Sequence, residues 1–334
     1  MMTDGAIPPA AAAKLGVLTR VDGSCGTIAL DRPEALNALT TSMVRAIAVA
    51  LRDFEADAAI ELVKIVSTRD DAFCSGGDIR AVRQARLEGR HADADGFFAQ
   101  EFALNQAIAE FSKPYVALIG GVCMGGGLGL SVHGTHRVVT ERVTMAMPEA
   151  GIGYFPDVGA SHFLNALPGR IGLYLGLTGE RLSGADALYC GLATHFVPST
   201  RLRALSDALD HVKAAQTTQT IAAFAVAAPD SKVAENREAI DRCFEAESLD
   251  AIVANVRAEQ SPFGEGARAR LESASPQSLR VIFDLLRRTR DLPLAECLAM
   301  ELELARALTR SADFIEGVRA MLVDKDRQPR WRLT

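Results

Sequence analysis

Several patterns that define common protein classes are missing from this sequence. Its six cysteines are scattered and never form a Cys-x-x-Cys pair, which argues against a zinc site or a disulfide framework. No uninterrupted apolar run reaches the length of a transmembrane helix. The opening segment, MMTDGAIPPAAAAKLG, lacks a basic stretch, and we expect it to be a terminal tail on a soluble protein. These absences favour reduced thiols and a cytoplasmic location.

Positive charge is also in short supply. The 334 residues carry a formal net charge of −6, so the chain has no general attraction to nucleic acid or to an anionic membrane surface. The hydrophobic content of 49% is ample for a full core. We therefore expect a globular protein that has neither nucleic acid nor membrane as a partner.

Familiar catalytic signatures are absent as well. The chain has no Gly-x-Ser-x-Gly nucleophile elbow, which disfavours an α/β-hydrolase triad. The glycines at 125–127 match neither the dinucleotide fingerprint nor a phosphate loop, because the required spacing and the Gly-Lys-Ser/Thr ending are missing. Four histidines lie on or beside apolar elements, and Cys123 precedes the glycine turn, so structural roles are favoured for these residues; the histidines are His133, His136, His162 and His195. No metal or redox cofactor is predicted.

What the sequence does contain is a glycine-dense stretch between residues 113 and 161. An apolar run, Tyr115 to Ile119, predicts a buried strand that leads into a turn and then into a helix. Glycines permit close backbone approach, and a helix N-terminus presents unpaired N–H groups that could hold a developing oxyanion. The alternative is a tight turn whose glycines serve packing only. A second pair, Gly76 and Gly77, follows the predicted strand at residues 62–67, so the amides of Gly77 and Gly126 could converge as two donors.

Two carboxylates follow in a segment rich in glycine and proline. Glu149 has mostly apolar neighbours, where a carboxylate acquires a raised pKa or a partner, as catalytic groups do. The alternative is a solvated surface glutamate. Asp157 follows Phe155-Pro156 and could instead cap the helix that comes next.

The order of the elements predicts an α/β architecture. A hairpin within residues 18–30 and a helix near residues 41–54 come first, and a β-β-α rhythm then continues to about residue 200, with a helical segment over about 79–112. Beyond residue 200 the strand signal disappears, and helical patterns continue, such as Leu294, Cys297, Leu298, Glu301 and Leu304. We predict a core over residues 14–200 and a helical C-terminal region over residues 201–334 that packs on it.

Several strings of sequence carry a family resemblance. DRPEALNALT, FCSGGDI, KPYVALIGGVCMGGG and MPEAGIGYFPDVG together resemble the crotonase (enoyl-CoA hydratase/isomerase) superfamily, which implies a spiral of β-β-α turns. SPFGEGAR and ECLAMELELA extend the match nearly end to end, and they are similar to the branch that hydrolyses 3-hydroxyisobutyryl-CoA.

The resemblance implies where the substrate binds. Gly77 and Gly126 would supply the two amides that hold the thioester carbonyl. Glu101, in QEFALN, matches a glutamate that lies at the acyl end of the substrate. With Gly126, the carboxylates Glu149 and Asp157 would complete the set of substrate-binding residues.

The resemblance also implies a choice of chemistry. Hydratases of the superfamily carry a glutamate where this chain has Gly129, so the pair of glutamates that hydration uses is missing. Glu149 is expected either to attack the thioester carbonyl or to activate water. Asp157 is expected to orient water, to orient Glu149 or to protonate the leaving thiolate.

The expected activity is hydrolysis of a short-chain 3-hydroxyacyl-CoA, with 3-hydroxyisobutyryl-CoA of valine catabolism as the expected substrate. CoA is part of the substrate, and no separate cofactor is implied. An enoyl-CoA hydratase or isomerase is the second hypothesis, and a non-catalytic CoA-binding protein is the third. Members of the superfamily are commonly trimers or hexamers, which leaves a homo-oligomer as an open alternative.

Overall fold

The computed structural model describes residues 15–332. Residues 1–14, which make up most of the expected N-terminal tail and include the first residue of the predicted core, lie outside this range. Residues 333–334 of the predicted C-terminal region lie outside it as well. Of the helices described, none combines the length and the apolar character needed to cross a bilayer. The cysteines are buried and unpaired within the described chain.

Two β-sheets form the centre of the fold. The strands are β1 Val17–Asp22, β2 Cys25–Leu30, β3 Leu62–Ser67, β4 Ala72–Cys74, β5 Tyr115–Ile119, β6 Val122–Met124, β7 His136–Val139, β8 Thr144–Ala146 and β9 His195–Phe196. The larger sheet has the order β1-β2-β3-β5-β7-β9, and the smaller has the order β4-β6-β8. Strands β1 and β2 form the predicted antiparallel hairpin, and the pairs that follow are parallel.

Successive strands alternate between the two sheets. Each of β3, β5 and β7 lies in the larger sheet, and the strand that follows it lies in the smaller one. A helix or a 3₁₀ turn comes after each pair, so the chain winds as a spiral of β-β-α turns. The predicted α/β spiral is therefore confirmed.

The helices of the spiral follow the predicted order with one correction. They are α1 Thr41–Ala56, α2 Ile79–Leu87, α3 His91–Ala109, α4 Gly126–Gly129, α5 Ala160–Phe163, α6 Ile171–Thr178 and α7 Gly184–Cys190. The segment predicted as helical over about 79–112 is helical, but it consists of two helices, because the chain breaks between α2 and α3 at Gly89, which has a φ of 73°. A positive φ is incompatible with continuing a right-handed helix.

The chain beyond residue 198 is helical apart from its connections, as predicted. Its helices are α8 Ser199–Leu209, α9 Thr217–Phe224, α10 Lys232–Glu235, α11 Arg237–Phe244, α12 Leu249–Ala258, α13 Pro262–Ser273, α14 Pro276–Arg288, α15 Leu294–Leu308 and α16 Ala312–Val318, followed by a π-helical turn at Arg319–Val323. The boundary at residue 200 stays a prediction.

Two strands of the smaller sheet escaped sequence analysis. Strands β4 and β6 span three residues each, and both lie directly before glycines in segments for which the sequence predicts turns. A strand of three residues is too short to show an alternating pattern, and the neighbouring glycines favour the prediction of a turn.

Helix α16 packs closely against the 3₁₀ turn Glu149–Ile152. A Cβ added to Gly317 would lie 2.7 Å from Cα of Ile152 and still nearer to its carbonyl group. Real Cβ atoms do not approach backbone so closely. The absence of a side chain at residue 317 therefore lets the C-terminal region reach the turn that carries Glu149.

We expect Gly317→Ala to destabilise the protein by about 1–3 kcal/mol, because the added methyl group overpacks this contact. Gly266→Ala is the matched control, since a Cβ at Gly266 in α13 meets nothing within 4 Å. That change should stabilise the helix by about 0.5–1 kcal/mol. Urea unfolding of the two variants measures the difference, and equal midpoints would contradict the proposed tight contact.

Candidate active site

The candidate site lies at one edge of the smaller sheet. Because β4, β6 and β8 are adjacent and parallel, their carboxyl ends meet at the same edge. The segments that leave this edge are the loop with Gly76 and Gly77, the glycines at 125–127, and the 3₁₀ turn that begins at Glu149. Sheet topology therefore brings together three segments that are distant in the sequence.

The first loop holds the Gly77 amide away from the hydrogen-bond ladder. Leu39 donates its N–H to the carbonyl of Gly76 at 2.8 Å, and its own carbonyl accepts from the N–H of Asp78 at 2.8 Å. Neither bond uses the amide of Gly77. Gly76 has a φ of 107°, a conformation that side-chain-bearing residues rarely adopt.

The second loop places the Gly126 amide beside the first. Gly125 has a φ of 49° and a ψ of −118°, and its N–H donates to the carbonyl of Ala146 at 3.2 Å. Gly126 begins α4, so its N–H has no acceptor within that helix. A Cβ added to Gly126 would lie 3.3 Å from the nitrogen of Gly77. The two loop backbones are thus in close contact, and their catalytic role stays a prediction.

Glu149, on the third segment, lies against the second loop at Gly125. Its side chain is buried, with the residue 8% exposed, and its Oε1 lies 2.8 Å from the position of a Cβ on Gly125. Its Oε2 has no hydrogen-bond partner among residues 15–332. Burial, and then the charge of Asp157, raise the pKa of Glu149 well above its ordinary value. The alternative of a solvated surface glutamate is wrong.

Asp157 is buried as well, with the residue 5% exposed. The hydroxyl of Tyr154 donates to its Oδ2 at 3.1 Å. Burial, and then the charge of Glu301, raise the pKa of Asp157 to about 8. The alternative role as a helix cap is wrong. The N-cap of α5 is Gly159, and Asp157 contacts this helix through its backbone carbonyl, which accepts from the N–H of Ala160, and not through its side chain.

Glu101 reaches the same place from α3. A Cβ added to Gly126 would overlap its Oε1, and that oxygen has no hydrogen-bond partner in the part of the chain described. Burial, and then the charge of Asp157, raise the pKa of Glu101 well above its ordinary value. Glu101 and Glu149 therefore both lie against the second glycine loop, and Asp157 is near enough to both for its charge to raise their pKa values.

No space exists at residue 129 for a second glutamate. A Cβ added to Gly129 would lie 2.7 Å from Nδ2 of Asn105 and 2.8 Å from Cβ of Val158. These two side chains fill the volume that a longer residue would need. The second glutamate that the resemblance implies for hydratases is therefore absent from the sequence, and the space for it at residue 129 is filled.

Aromatic rings enclose the carboxyl groups. Tyr154 packs against Phe98 at 5.7 Å and against Phe314 at 5.8 Å between ring centroids. Phe97 lies over Gly77, where it would be 2.9 Å from an added Cβ. The rings exclude water, and this desolvation is the main reason why the carboxyl pKa values rise.

A cavity of about 450 Å³ adjoins the Gly77 loop. It shares Leu39, Asp78 and Phe97 with the surroundings of that loop. Its volume is in the range of small-molecule sites. The cavity is thus adjacent to the residues that flank and cover Gly77, although neither Gly77 nor Gly126 lines it.

Sequence analysis missed Glu301, a fully buried carboxyl group on α15. Its Oε2 accepts from the N–H of Gly159 at 2.7 Å, and its Oε1 accepts from the N–H and the hydroxyl of Ser161 at 2.8 and 2.6 Å. Burial raises the pKa of Glu301 to about 7. The signal was present, since Glu301 interrupts the apolar face of its helix, where a charged residue requires partners.

The cysteine and histidine nearest the glycine turn have structural surroundings, as predicted. Burial raises the pKa of Cys123 to about 12, which disfavours the reactive thiolate. His133 lies 2.7 Å from the carbonyl of Val158, and burial lowers its pKa to about 4. Among residues 15–332, no cluster of three or more histidine, cysteine or acidic side chains has the arrangement of a metal site.

Comparison with known proteins identifies the family. A family model described as enoyl-CoA hydratase/isomerase matches residues 25–334. The chain belongs to the enoyl-CoA hydratase/isomerase family. The family model covers nearly the whole chain, including the C-terminal helices.

Curated members of this family are similar along most of their length. Proteins named 3-hydroxyisobutyryl-CoA hydrolase, mitochondrial, are 42% identical in Danio rerio and 40% identical in Homo sapiens, each over 95% of this chain. The matches cover 85% and 84% of those relatives. The protein of that name from Xenopus tropicalis is 44% identical over 92% of this chain and 82% of its own length.

Solved structures of family members agree with the fold. A carnitinyl-CoA dehydratase from Mycobacterium thermoresistibile has a TM-score of 0.89 and 37% identity, and covers 95% of this chain and 91% of its own. An enoyl-CoA hydratase from Rhodobacter sphaeroides 2.4.1 has a TM-score of 0.89 and 40% identity, with coverage of 95% and 92%.

We expect Glu301→Gln to lower the free energy of unfolding at pH 5 by about 1–3 kcal/mol, because the amide cannot accept all three hydrogen bonds. The raised pKa of Glu301 means that the folded protein binds its proton more tightly than the unfolded chain. This contribution to stability is fully present below the unfolded pKa of about 4.3 and is lost as pH rises through about 7. The difference in the free energy of unfolding between wild type and variant should therefore narrow between about pH 4 and 7.

Denaturation at several pH values tests this, with Ser161→Ala as the control that removes a single hydroxyl donor to Glu301. If the difference in the free energy of unfolding between wild type and Glu301→Gln widens with pH, the folded protein favours the ionised form of Glu301 instead.

Proposed function

We propose that this family member hydrolyses the thioester of a short-chain 3-hydroxyacyl-CoA, with 3-hydroxyisobutyryl-CoA as the substrate. Relatives with that activity in their names are 40–44% identical over most of the chain. The observation that carries the proposal is the buried Glu149 beside two loop amides, with no room for a second glutamate at residue 129. We further propose that the substrate approaches through the cavity beside the Gly77 loop.

The first step is an acyl transfer at the thioester carbon. The amides of Gly77 and Gly126 donate hydrogen bonds to the oxyanion of the tetrahedral intermediate, which contributes about 3–4 kcal/mol for one good donor. Ionised Glu149 either attacks the carbon and forms a mixed anhydride, or removes a proton from an attacking water. Breaking the carbon–sulfur bond releases the CoA thiolate. In the anhydride route, water then attacks the acyl carbon, one water proton passes to Asp157, which has protonated the thiolate, and the Glu149 carboxylate leaves as the product acid forms. In the direct route the proton taken up by Glu149 passes to Asp157, so both routes restore the two groups.

Asp157 supplies the proton to the leaving thiolate in this proposal. A carboxyl group with a pKa of about 8 is protonated at neutral pH, and its pKa is close to that of an ordinary thiol. Proton transfer between groups of similar pKa is efficient. The Tyr154 hydroxyl bonds to Oδ2 and fixes the orientation of the group.

A hydratase is the competing function, since two structurally similar members are named as a hydratase and a dehydratase. Addition of water across a double bond would need a second group positioned near residue 129. Gly129 provides none, and Asn105 beside it is neither an acid nor a base at ordinary pH. A non-catalytic CoA-binding protein is the third candidate, and thiol release separates it from the first.

The remaining expectations are proposals as well. The reaction as written uses no cofactor apart from the CoA of the substrate, and no nucleic acid or membrane takes part. We propose a cytoplasmic location, although the curated relatives are named as mitochondrial, and a role in valine breakdown. A homo-oligomer is proposed as one form in solution, which light scattering would measure.

We expect Glu149→Gln to reduce thiol release from 3-hydroxyisobutyryl-CoA by at least about 1,000-fold, because the amide can neither attack nor accept a proton. Binding of the thioester should change little. A thiol-reactive dye measures turnover and calorimetry measures binding. Glu303→Gln, an exposed change on α15, is the matched control and should be fully active.

Full turnover by Glu149→Gln would remove this residue from the mechanism. If the wild-type protein removes the absorbance of an enoyl-CoA substrate without releasing thiol, the hydratase is favoured instead.

The pH profile tests the role of Asp157. Since its protonated form donates to the thiolate, kcat should fall as pH rises above about 8. In Asp157→Asn the alkaline decrease should disappear, and kcat should be lower across the profile. An unchanged alkaline decrease in this variant would assign that titration to a different group.

A further inference from the structure

Asn105 is a buried amide without internal partners. The residue is 0% exposed, and neither its Nδ2 nor its Oδ1 has a hydrogen-bond partner in the described chain. Leaving both ends of an amide unpaired in the interior is costly, because the group gives up its bonds to water. Such a group either contacts a ligand or marks a bound water.

The position of Asn105 favours a ligand. Asn105 lies one helical turn after Glu101 on α3, and the two side chains extend towards Gly129 and Gly126, at the two ends of α4. Oε1 of Glu101 and Oε2 of Glu149 are also unpartnered. Four polar atoms without partners thus belong to side chains packed around α4 and the turn before it.

We propose that Asn105 is a specificity-determining residue that binds the 3-hydroxyl group of the acyl chain, next to Glu101. This inference rests on the proposed function and extends it to the recognition of the acyl group.

The chemistry of the amide fits a hydroxyl group. A hydroxyl donates one hydrogen bond and accepts others, and Asn105 offers one acceptor and two donor hydrogens. A neutral amide also adds no charge to the buried cluster of Glu101, Glu149 and Asp157, whose pKa values are already raised. A carboxylate in its place would add to the repulsion.

The consequence is discrimination between substrates. A site built to bond a hydroxyl group rejects an analogue without it, because the polar groups of the site then stay unpaired. Wild-type protein should therefore prefer 3-hydroxyisobutyryl-CoA to isobutyryl-CoA. Replacing the amide with an apolar group of similar size should remove that preference while leaving the catalytic groups in place.

The experiment compares Asn105→Leu with wild type on these two thioesters. We expect kcat/KM for the hydroxylated substrate to fall roughly 10- to 100-fold, and kcat/KM for isobutyryl-CoA to stay within about threefold. Gln84→Leu is the control, since it removes an exposed side-chain amide on α2, which donates to Glu88 at the end of that helix. It should leave both values unchanged.

A fall of the same size for both substrates would overturn the proposal and give Asn105 a structural role. If the wild type releases no thiol from either compound, the proposed function is wrong. The role of Asn105 in binding the hydroxyl group is then tested by measuring binding alone. Calorimetry in a Glu149→Gln background then compares the two thioesters. A hydroxyl preference that disappears on adding Asn105→Leu supports the inference, and one that persists overturns it.

Discussion

The candidate site depends on the parallel pairing of three short strands. Strands β4, β6 and β8 have the same direction, so each delivers the segment that follows it to one edge of the smaller sheet. The backbones at Gly77 and Gly126 approach each other there because both loops are built from glycine. A side chain at Gly126 would displace Glu101 and separate the loops.

Burial sets the electrostatics of this edge. Glu101, Glu149 and Asp157 come from three segments, and each has a pKa raised mainly by desolvation. The C-terminal helices complete the enclosure, because Phe314 packs on Tyr154 and Glu301 bonds the loop after Asp157. The helical region is thus part of the site's environment as well as a cover for the core.

In the proposed mechanism, a difference at one position of the fold selects the chemistry. The fold and the two amides suit any reaction that places negative charge on a thioester oxygen. At residue 129, glycine and the neighbouring Asn105 replace the second acid that hydration needs with a neutral amide. In the proposed mechanism Glu149 is then left to act on the carbonyl carbon, and Asn105 to contact the acyl group.

The sequence by itself determined the β-β-α rhythm, the helical C-terminal region and the two glycine loops, and it singled out Glu149 as a candidate, since these depend on local periodicity and on recognisable strings. It did not reveal β4 and β6, because three-residue strands exist only through pairing with distant partners. The sheet and the helices around it likewise decided that the loops of Gly77 and Gly126 meet near Glu149. They also bury Glu149 and Asp157, which excludes a surface role for the first and a capping role for the second. Glu301 and Asn105 gained their significance only from tertiary contacts, because hydrogen bonds and desolvation depend on neighbours far away in the chain.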